Sequence, residues 1–179
     1  LKAVMDAINA LPLNITLADK ASVEAARDAY DAFVAEYTQY ADSTFAEKYN
    51  AEAEVTNIKD LLLAEASINA LMIEAVESLK VVKNHSTAGR TNGKSWIKIE
   101  WSTVGDDSAV QGYEIYKSTK KNSGYKHSFT TKNPANKWYK NTAGLKKNTR
   151  YYYKVRAFVE IDGQKYYSDW SNKAYRYAK

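Results

Sequence analysis

The sequence predicts two domains of different class, an antiparallel α-helical bundle over residues 1–80 and a β-sandwich over residues 81–179. Three observations carry this. Residues 1–80 hold 6 Lys and Arg against 14 Asp and Glu, net −8, whereas residues 81–179 hold 20 against 7, net +13. All four Trp and eleven of the fifteen Tyr follow residue 80. The apolar period also changes there, from steps of three and four to steps of two.

In the first domain, Leu1, Val4, Met5, Ile8 and Leu11 fall on one helical face, and Pro12 ends that helix because it drives the preceding residue out of the helical region. Thr16 and Asp19 suit the start of a second helix, from about Asp19 to Tyr40, with Val23, Ala26, Tyr30, Phe33 and Tyr37 as its seam. Thr44 with Glu47 offers a capping box before Phe45 and Tyr49. Asn57 with Asp60 caps a further helix, or else one helix runs on through residues 41–80. The run Ile58, Leu61, Leu62, Glu65, Ile68, Met72, Val76, Leu79 keeps helical spacing to the boundary. Short helices are marginal alone, so these pack on one another, most simply as three antiparallel helices.

In the second domain, residues 81–87 form a first strand and Asn92-Gly93 a turn. Ser95 to Trp101 alternates, with Ile97, Ile99 and Trp101 inward and Trp96, Lys98 and Glu100 outward. Strands follow at Val110 to Lys117, with Tyr113 and Ile115 inward, at Tyr125 to Thr131 and at Lys137 to Asn141. The strongest alternation comes next: Tyr151, Tyr153, Val155, Ala157 and Val159 on one face, Tyr152, Lys154, Arg156 and Phe158 on the other. Asp162-Gly163 marks a hairpin, and Lys165 to Ala178 closes the set. Seven short strands separated by turns over residues 81–179 suit an immunoglobulin-like sandwich. No Gly/Ser-rich or Pro-rich tether separates the halves, so a fairly fixed angle between them is expected.

Two resemblances add to this. Ile97-Lys-Ile-Glu-Trp101, Gly112-Tyr-Glu-Ile-Tyr116, the series Leu145, Thr149, Tyr151, Tyr153, Val155, Ala157, and Tyr167-Ser-Asp-Trp-Ser-Asn172 resemble the strands of a fibronectin type III domain of the bacterial secreted and surface type. The resemblance implies a structural core of Trp101, Tyr113, Leu145, Tyr151, Tyr153 and Val155, with Tyr151 as a tyrosine corner whose hydroxyl bonds back to upstream backbone. There is no Arg-Gly-Asp; Val104-Gly-Asp106 is the nearest, so the integrin-binding loop of some relatives does not carry over. Ile8-Asn-Ala-Leu-Pro12, Ile15-Thr-Leu-Ala-Asp-Lys20, the run Val23 to Ala32, Val55-Thr-Asn57 and Leu62 to Ala66 resemble a FIVAR-like three-helix module of Gram-positive cell-surface proteins. That module implies a spacer or protein-contact role. Here about a dozen extra residues, near Glu36 to Glu52, replace its short Gln-Lys turn.

No catalytic constellation stands out. His85 and His127 have no matching ligand set, and the plain reading is surface strand residues. Asp106-Asp107 could draw a cation, but nothing resembles an EF-hand, and solvated loop acids explain them. There is no P-loop, dinucleotide fingerprint or nucleophile elbow. Exposed aromatics are the better lead, since sugars stack on aromatic faces. Tyr116, Trp138, Tyr152, Lys154 and Arg156 are the candidate ligand contacts; cross-strand pairing of aromatics is the plainer explanation. The basic second domain suits an anionic partner, though no nucleic-acid motif accompanies it. Cysteine is absent, which suits a bacterial exoprotein, and no apolar run approaches the ~20 residues that cross a bilayer. The chain opens on Leu1 without a signal peptide or lipidation motif and reads as a fragment of a longer protein.

The expectation is therefore a non-catalytic accessory fragment of a larger secreted or cell-wall-associated bacterial protein, acting as spacer and protein-interaction module. It needs no cofactor or metal and does not enter membrane or bind nucleic acid. Its partners are other domains of the parent chain, a cell-wall polymer, a glycan or a host protein. The alternative is an adhesin or glycan-binding module using the aromatic and basic face of the sandwich.

Overall fold

The computed structural model describes residues 1–39 and 54–179. Thr44, Phe45, Glu47 and Tyr49, and with them the capping box and most of the extra segment, lie outside the described residues. Chain compactness divides the molecule into Leu1–Leu71 and Met72–Lys179.

In the first unit, α1 (Lys2–Asn9) buries Val4 and Ile8, the positions its spacing selects. α2 (Lys20–Gln39) follows a tight turn at Leu17–Asp19, where the Thr16 amide and hydroxyl both donate to the Asp19 carboxylate, at 2.9 and 2.7 Å. α2 buries Val23, Ala26 and Tyr30. α3 (Ile58–Ser78) begins after a non-helical step at Val55–Asn57, so residues 41–80 do not form one helix. Asn57 does not cap α3: its amide donates to the Met5 carbonyl at 3.0 Å and to Asn9 Oδ1 at 2.9 Å, tying the start of α3 to α1. Arg27 on α2 reaches Glu65 on α3 through two hydrogen bonds, at 2.6 and 2.7 Å, which holds the Arg27 guanidinium above its ordinary range. The apolar stripe of α3 is Leu61, Ala64 and Ile68, continuing as Met72 and Val76 in the second unit. Leu62, expected on that stripe, stands 51 % exposed; its neighbour Leu61 takes the inward position.

In the second unit the strands are β1 (Lys80–Thr91), β2 (Lys94–Val104), β3 (Gly112–Ser118), β4 (Lys126–Thr131), β5 (Trp138–Asn141), β6 (Arg150–Ile161), β7 (Gln164–Tyr167) and β8 (Ala174–Tyr177). One sheet has the order β1-β2-β5; the other has β4-β3-β6-β7, with β8 also on β6. All pairings are antiparallel, the arrangement of an immunoglobulin-like sandwich. Asn92-Gly93 and Asp162-Gly163 both take positive φ at both residues, the twist a two-residue hairpin needs.

The core is the set of inward residues from both sheets. Ile97, Ile99 and Trp101 of β2 meet Tyr113 and Ile115 of β3 and Tyr151, Tyr153, Val155 and Ala157 of β6, all buried. Trp101 meets Tyr113 edge to face, centroids 5.2 Å apart. Phe129 and Tyr139 stack at 4.5 Å and 6°, closing the side of the sandwich where β4 and β5 end their sheets. Leu145 is only half-buried, because it sits in the loop before β6 and not on a strand.

Tyr151 closes that loop. Its hydroxyl donates to the Gly144 carbonyl at 3.3 Å and accepts from the Lys146 amide at 2.9 Å. Tyr151→Phe removes both bonds while keeping the ring, and should cost about 1–2 kcal/mol of stability, read from a chemical-denaturation midpoint.

The expected seventh strand is two pieces. β7 pairs with Phe158–Ile161 and β8 with Arg150–Tyr153. Between them two serines continue the ladder. Ala157 donates to Ser168 Oγ and accepts from the Ser168 amide, at 2.9 and 3.1 Å. Val155 does the same with Ser171, at 2.9 and 2.8 Å. Three steps from Ser168 to Ser171 span two steps of β6. The extra residue breaks the strand and carries Trp170 onto the outer face.

Candidate functional site

The outer face of the larger sheet gathers most of the residues expected to touch a ligand. The β6 alternation turns Tyr152, Lys154 and Arg156 outward. The β3–β6 register sets Glu114 beside Arg156 and Tyr116 beside Lys154. From the β7–β8 connection Trp170 comes across them. The result is a stack in which cations and rings alternate. The Arg156 guanidinium lies 3.4 Å from the Tyr167 ring centre and 4.5 Å from that of Trp170. The Lys154 ammonium lies 3.7 Å from Trp170 and 4.9 Å from Tyr125. Tyr116 meets Trp170 edge-on at 5.0 Å. Each such contact is worth about 0.5–2 kcal/mol, more as water is excluded.

An anion anchors the stack. The Glu114 side chain is 7 % exposed and takes Arg156 at 2.8 Å and Lys165 at 3.1 Å. The Tyr167 hydroxyl donates to it at 3.3 Å. Burial pushes the Glu114 carboxyl up, but the hydrogen bonds and charges of Arg156 and Lys165 outweigh it, so the carboxyl stays below its ordinary value. Lys154 is lowered by burial and by the neighbouring charges of Arg156 and Lys173.

This geometry reassigns the candidate contacts. Tyr152 is 8 % exposed, its hydroxyl accepting from Arg150 at 3.1 Å and its ring against Tyr175, so it is a packing residue and presents no open face. Tyr116, Lys154 and Arg156 are half-buried and occupied by the stack. Trp138 is not on this sheet: it lies on β5, outer face of the smaller sheet, and is 50 % exposed. Glu114 and Trp170 organise the face; Trp170 is one of the aromatics that pointed to a glycan site, and Glu114 is not among the residues expected to touch a ligand. The outward parity of Glu114 in Gly112-Tyr-Glu-Ile-Tyr116 was the available signal, but a lone outward glutamate ordinarily stays in water.

The two histidines and the paired loop acids are engaged locally. His85 on β1 faces Glu100 at 3.4 Å, and His127 on β4 lies 2.7 Å from Thr130 Oγ1, on different sheets. Asp107 takes Lys137 at 2.5 Å and Thr103 at 2.8 Å, which lowers its carboxyl. Asp106 accepts from the Ser108 amide. Among the described residues no group of three or more His, Asp or Glu is placed to hold a metal ion, and no helix is long and apolar enough to cross a membrane.

No protein-family model and no curated protein matches the chain. Part of it is similar to solved structures. One is an Fn3-like protein from Clostridium thermocellum, 21% identical over 58% of this chain and 92% of that one, TM-score 0.37. Another is the fibronectin type-III domain of human fibronectin type III domain containing protein 3, 17% identical over 57% and 85%, TM-score 0.38. A third is pectate lyase Pel3 from Pectobacterium carotovorum, 16% identical over 55% of this chain and 26% of that enzyme, TM-score 0.38.

Proposed function

We propose that the chain is a non-catalytic accessory fragment of a larger secreted or cell-wall-associated bacterial protein. In this reading residues 81–179 are a fibronectin type III module and residues 1–80 a FIVAR-like helical module of the Gram-positive surface type. They space and dock other domains of the parent chain. The observation that supports the reading is the closed stack of Tyr167, Arg156, Trp170, Lys154 and Tyr125 over Glu114. The residues with the richest chemistry in the described chain spend it on one another. The shifted carboxyls of Glu114 and Asp107 each have an ion-pair partner that explains the shift, and a stable ion pair is a structural use of a perturbed group.

Purified residues 1–179, incubated with panels of polysaccharide, peptide and ester substrates, should turn over none of them. Turnover that follows the protein through purification and is abolished by one side-chain substitution would overturn the reading.

A further inference from the structure

The outer face of the larger sheet is closed by its stack, in which Arg156 and Lys154 each lie against two rings; each tryptophan on the outer face of the smaller sheet has one lysine beside it. On the smaller sheet, the alternation of β2 turns Trp96, Lys98 and Glu100 outward, and the register sets Lys140 beside Lys98 and Trp138 beside Glu100. Trp96 and Trp138 are thus four residues apart along the strand and one strand across. That puts their Cα atoms about 14 Å apart. Only two lysines and one glutamate lie between them.

Trp96 is held in place from below. Gly89 of β1 pairs with it, and the indole lies across that glycine: a Cβ there would collide with the ring. The indole N–H donates to Thr91 Oγ1 at 3.2 Å, which fixes the ring's rotation. The Lys140 ammonium rests 4.5 Å from the Trp96 ring centre, and Lys140 has no carboxylate partner among the described residues. Lys98 stands 5.5 Å from the ring of Trp138 and pairs with Glu100 at 2.6 Å. A lysine held only by a half-buried ring, with no counter-charge, moves readily to a carboxylate.

We propose that this face binds an oligosaccharide carrying carboxylate groups, with sugar rings stacking on Trp96 and Trp138 and a carboxylate taken by Lys140 between them. Two aromatic side chains separated along one sheet face suit an extended ligand with several apolar ring faces. Lys140 supplies the charge that selects an acidic one, in the half of the chain that holds 20 Lys and Arg against 7 Asp and Glu. Glu100 favours a sugar over the other ligand that stacks on aromatics beside lysines, a single-stranded nucleic acid: paired with Lys98, its carboxylate accepts hydroxyl donors, which sugars have in number. The proposal does not rest on the spacer reading: a spacer can bind sugar, and failure of either leaves the other standing.

The test is calorimetric and NMR titration of residues 1–179 with a β-1,4-mannuronate tetrasaccharide, with mannotetraose and with a single-stranded tetranucleotide. The mannuronate should bind saturably and more tightly than the other two, with shifts at the indole N–H groups of Trp96 and Trp138. Trp138→Ala, half-exposed and so tolerated by the fold, should weaken binding about tenfold. Lys140→Gln should remove most of the preference for mannuronate over mannotetraose, and Lys154→Gln on the opposite sheet should change nothing. The proposal is overturned by absence of saturable mannuronate binding at millimolar concentration, by equal affinity for mannotetraose, by tighter binding of the tetranucleotide, or by dependence on Lys154 in place of Trp138.

Discussion

Glu114→Gln should lower the stability of the sandwich by about 3 kcal/mol, one of the two largest losses expected from the outer face and its supporting strands. The carboxylate is nearly out of water and is the common acceptor for Arg156, Lys165 and Tyr167. A neutral amide keeps the shape but offers one acceptor where there were two, and leaves two cations with no counter-charge. The loss falls at the lower end of the range for a broken buried pair, because Arg156 and Lys165 are 20 % and 29 % exposed and regain some hydration. The same contact sets an acid response. The folded-state value of Glu114 lies below the unfolded one, so its contribution is fully present above the ordinary glutamate range. It is lost as pH falls through the folded value. Urea titrations across that window should show wild type losing stability more steeply than Glu114→Gln, the two curves converging in acid. Curves that stay parallel would mean that Glu114 acts by packing alone. A double-mutant cycle with Arg156→Gln should show coupling of about 1–3 kcal/mol.

Why Glu114 was not legible as an anchor, while its neighbours were legible as core, is a matter of range. The inward set of β6 follows from alternation alone, since a strand with Tyr151, Tyr153, Val155 and Ala157 on one parity has one side to bury. The hairpins at Asn92-Gly93 and Asp162-Gly163 follow from residue types that accept positive φ. These are local rules. The environment of Glu114 is set by Arg156, forty-two positions away, and by Lys165 and Tyr167, more than fifty away. No period in the sequence carries that pairing. Tyr152 went astray for the same reason: parity correctly turned it outward, but Tyr175 of β8 and Arg150 cover it, and outward on a strand is not the same as open to solvent. On α3, periodicity offered Leu61 and Leu62 equally, and only the position of the neighbouring helices separates the buried one from the exposed one. Trp138 stands out in the sequence by type and parity, but which of the two sheets it joins depends on β5 pairing with β2.

The break between β7 and β8 leads to the second large effect. The double substitution Ser168→Ala, Ser171→Ala should cost about 3–4 kcal/mol, each serine alone about 2. Val155 and Ala157 are fully buried on β6, and their amides donate to Ser171 Oγ and Ser168 Oγ, where an unbroken strand would offer carbonyls. Each hydroxyl donates to the following carbonyl, that of Asp169 for Ser168 and of Asn172 for Ser171, so neither hydroxyl is left an unmet donor. Alanine at either position removes the acceptor of a buried amide. The two losses should add to less than their sum, because the connection carrying both serines loosens once the first is gone. Amide hydrogen exchange at Val155 and Ala157 is the direct measurement: it should accelerate in both single variants at the matching residue. Ser171→Thr, which keeps the oxygen, should restore slow exchange at Val155. Slow exchange in the alanine variants would show that the serine oxygens are dispensable. The arrangement also fixes the face above it. The one-residue excess between the serines carries Trp170 over Lys154 and Arg156. Loosening the connection should therefore free those two cations, and the double variant should lose the cation–π stack along with the two backbone bonds.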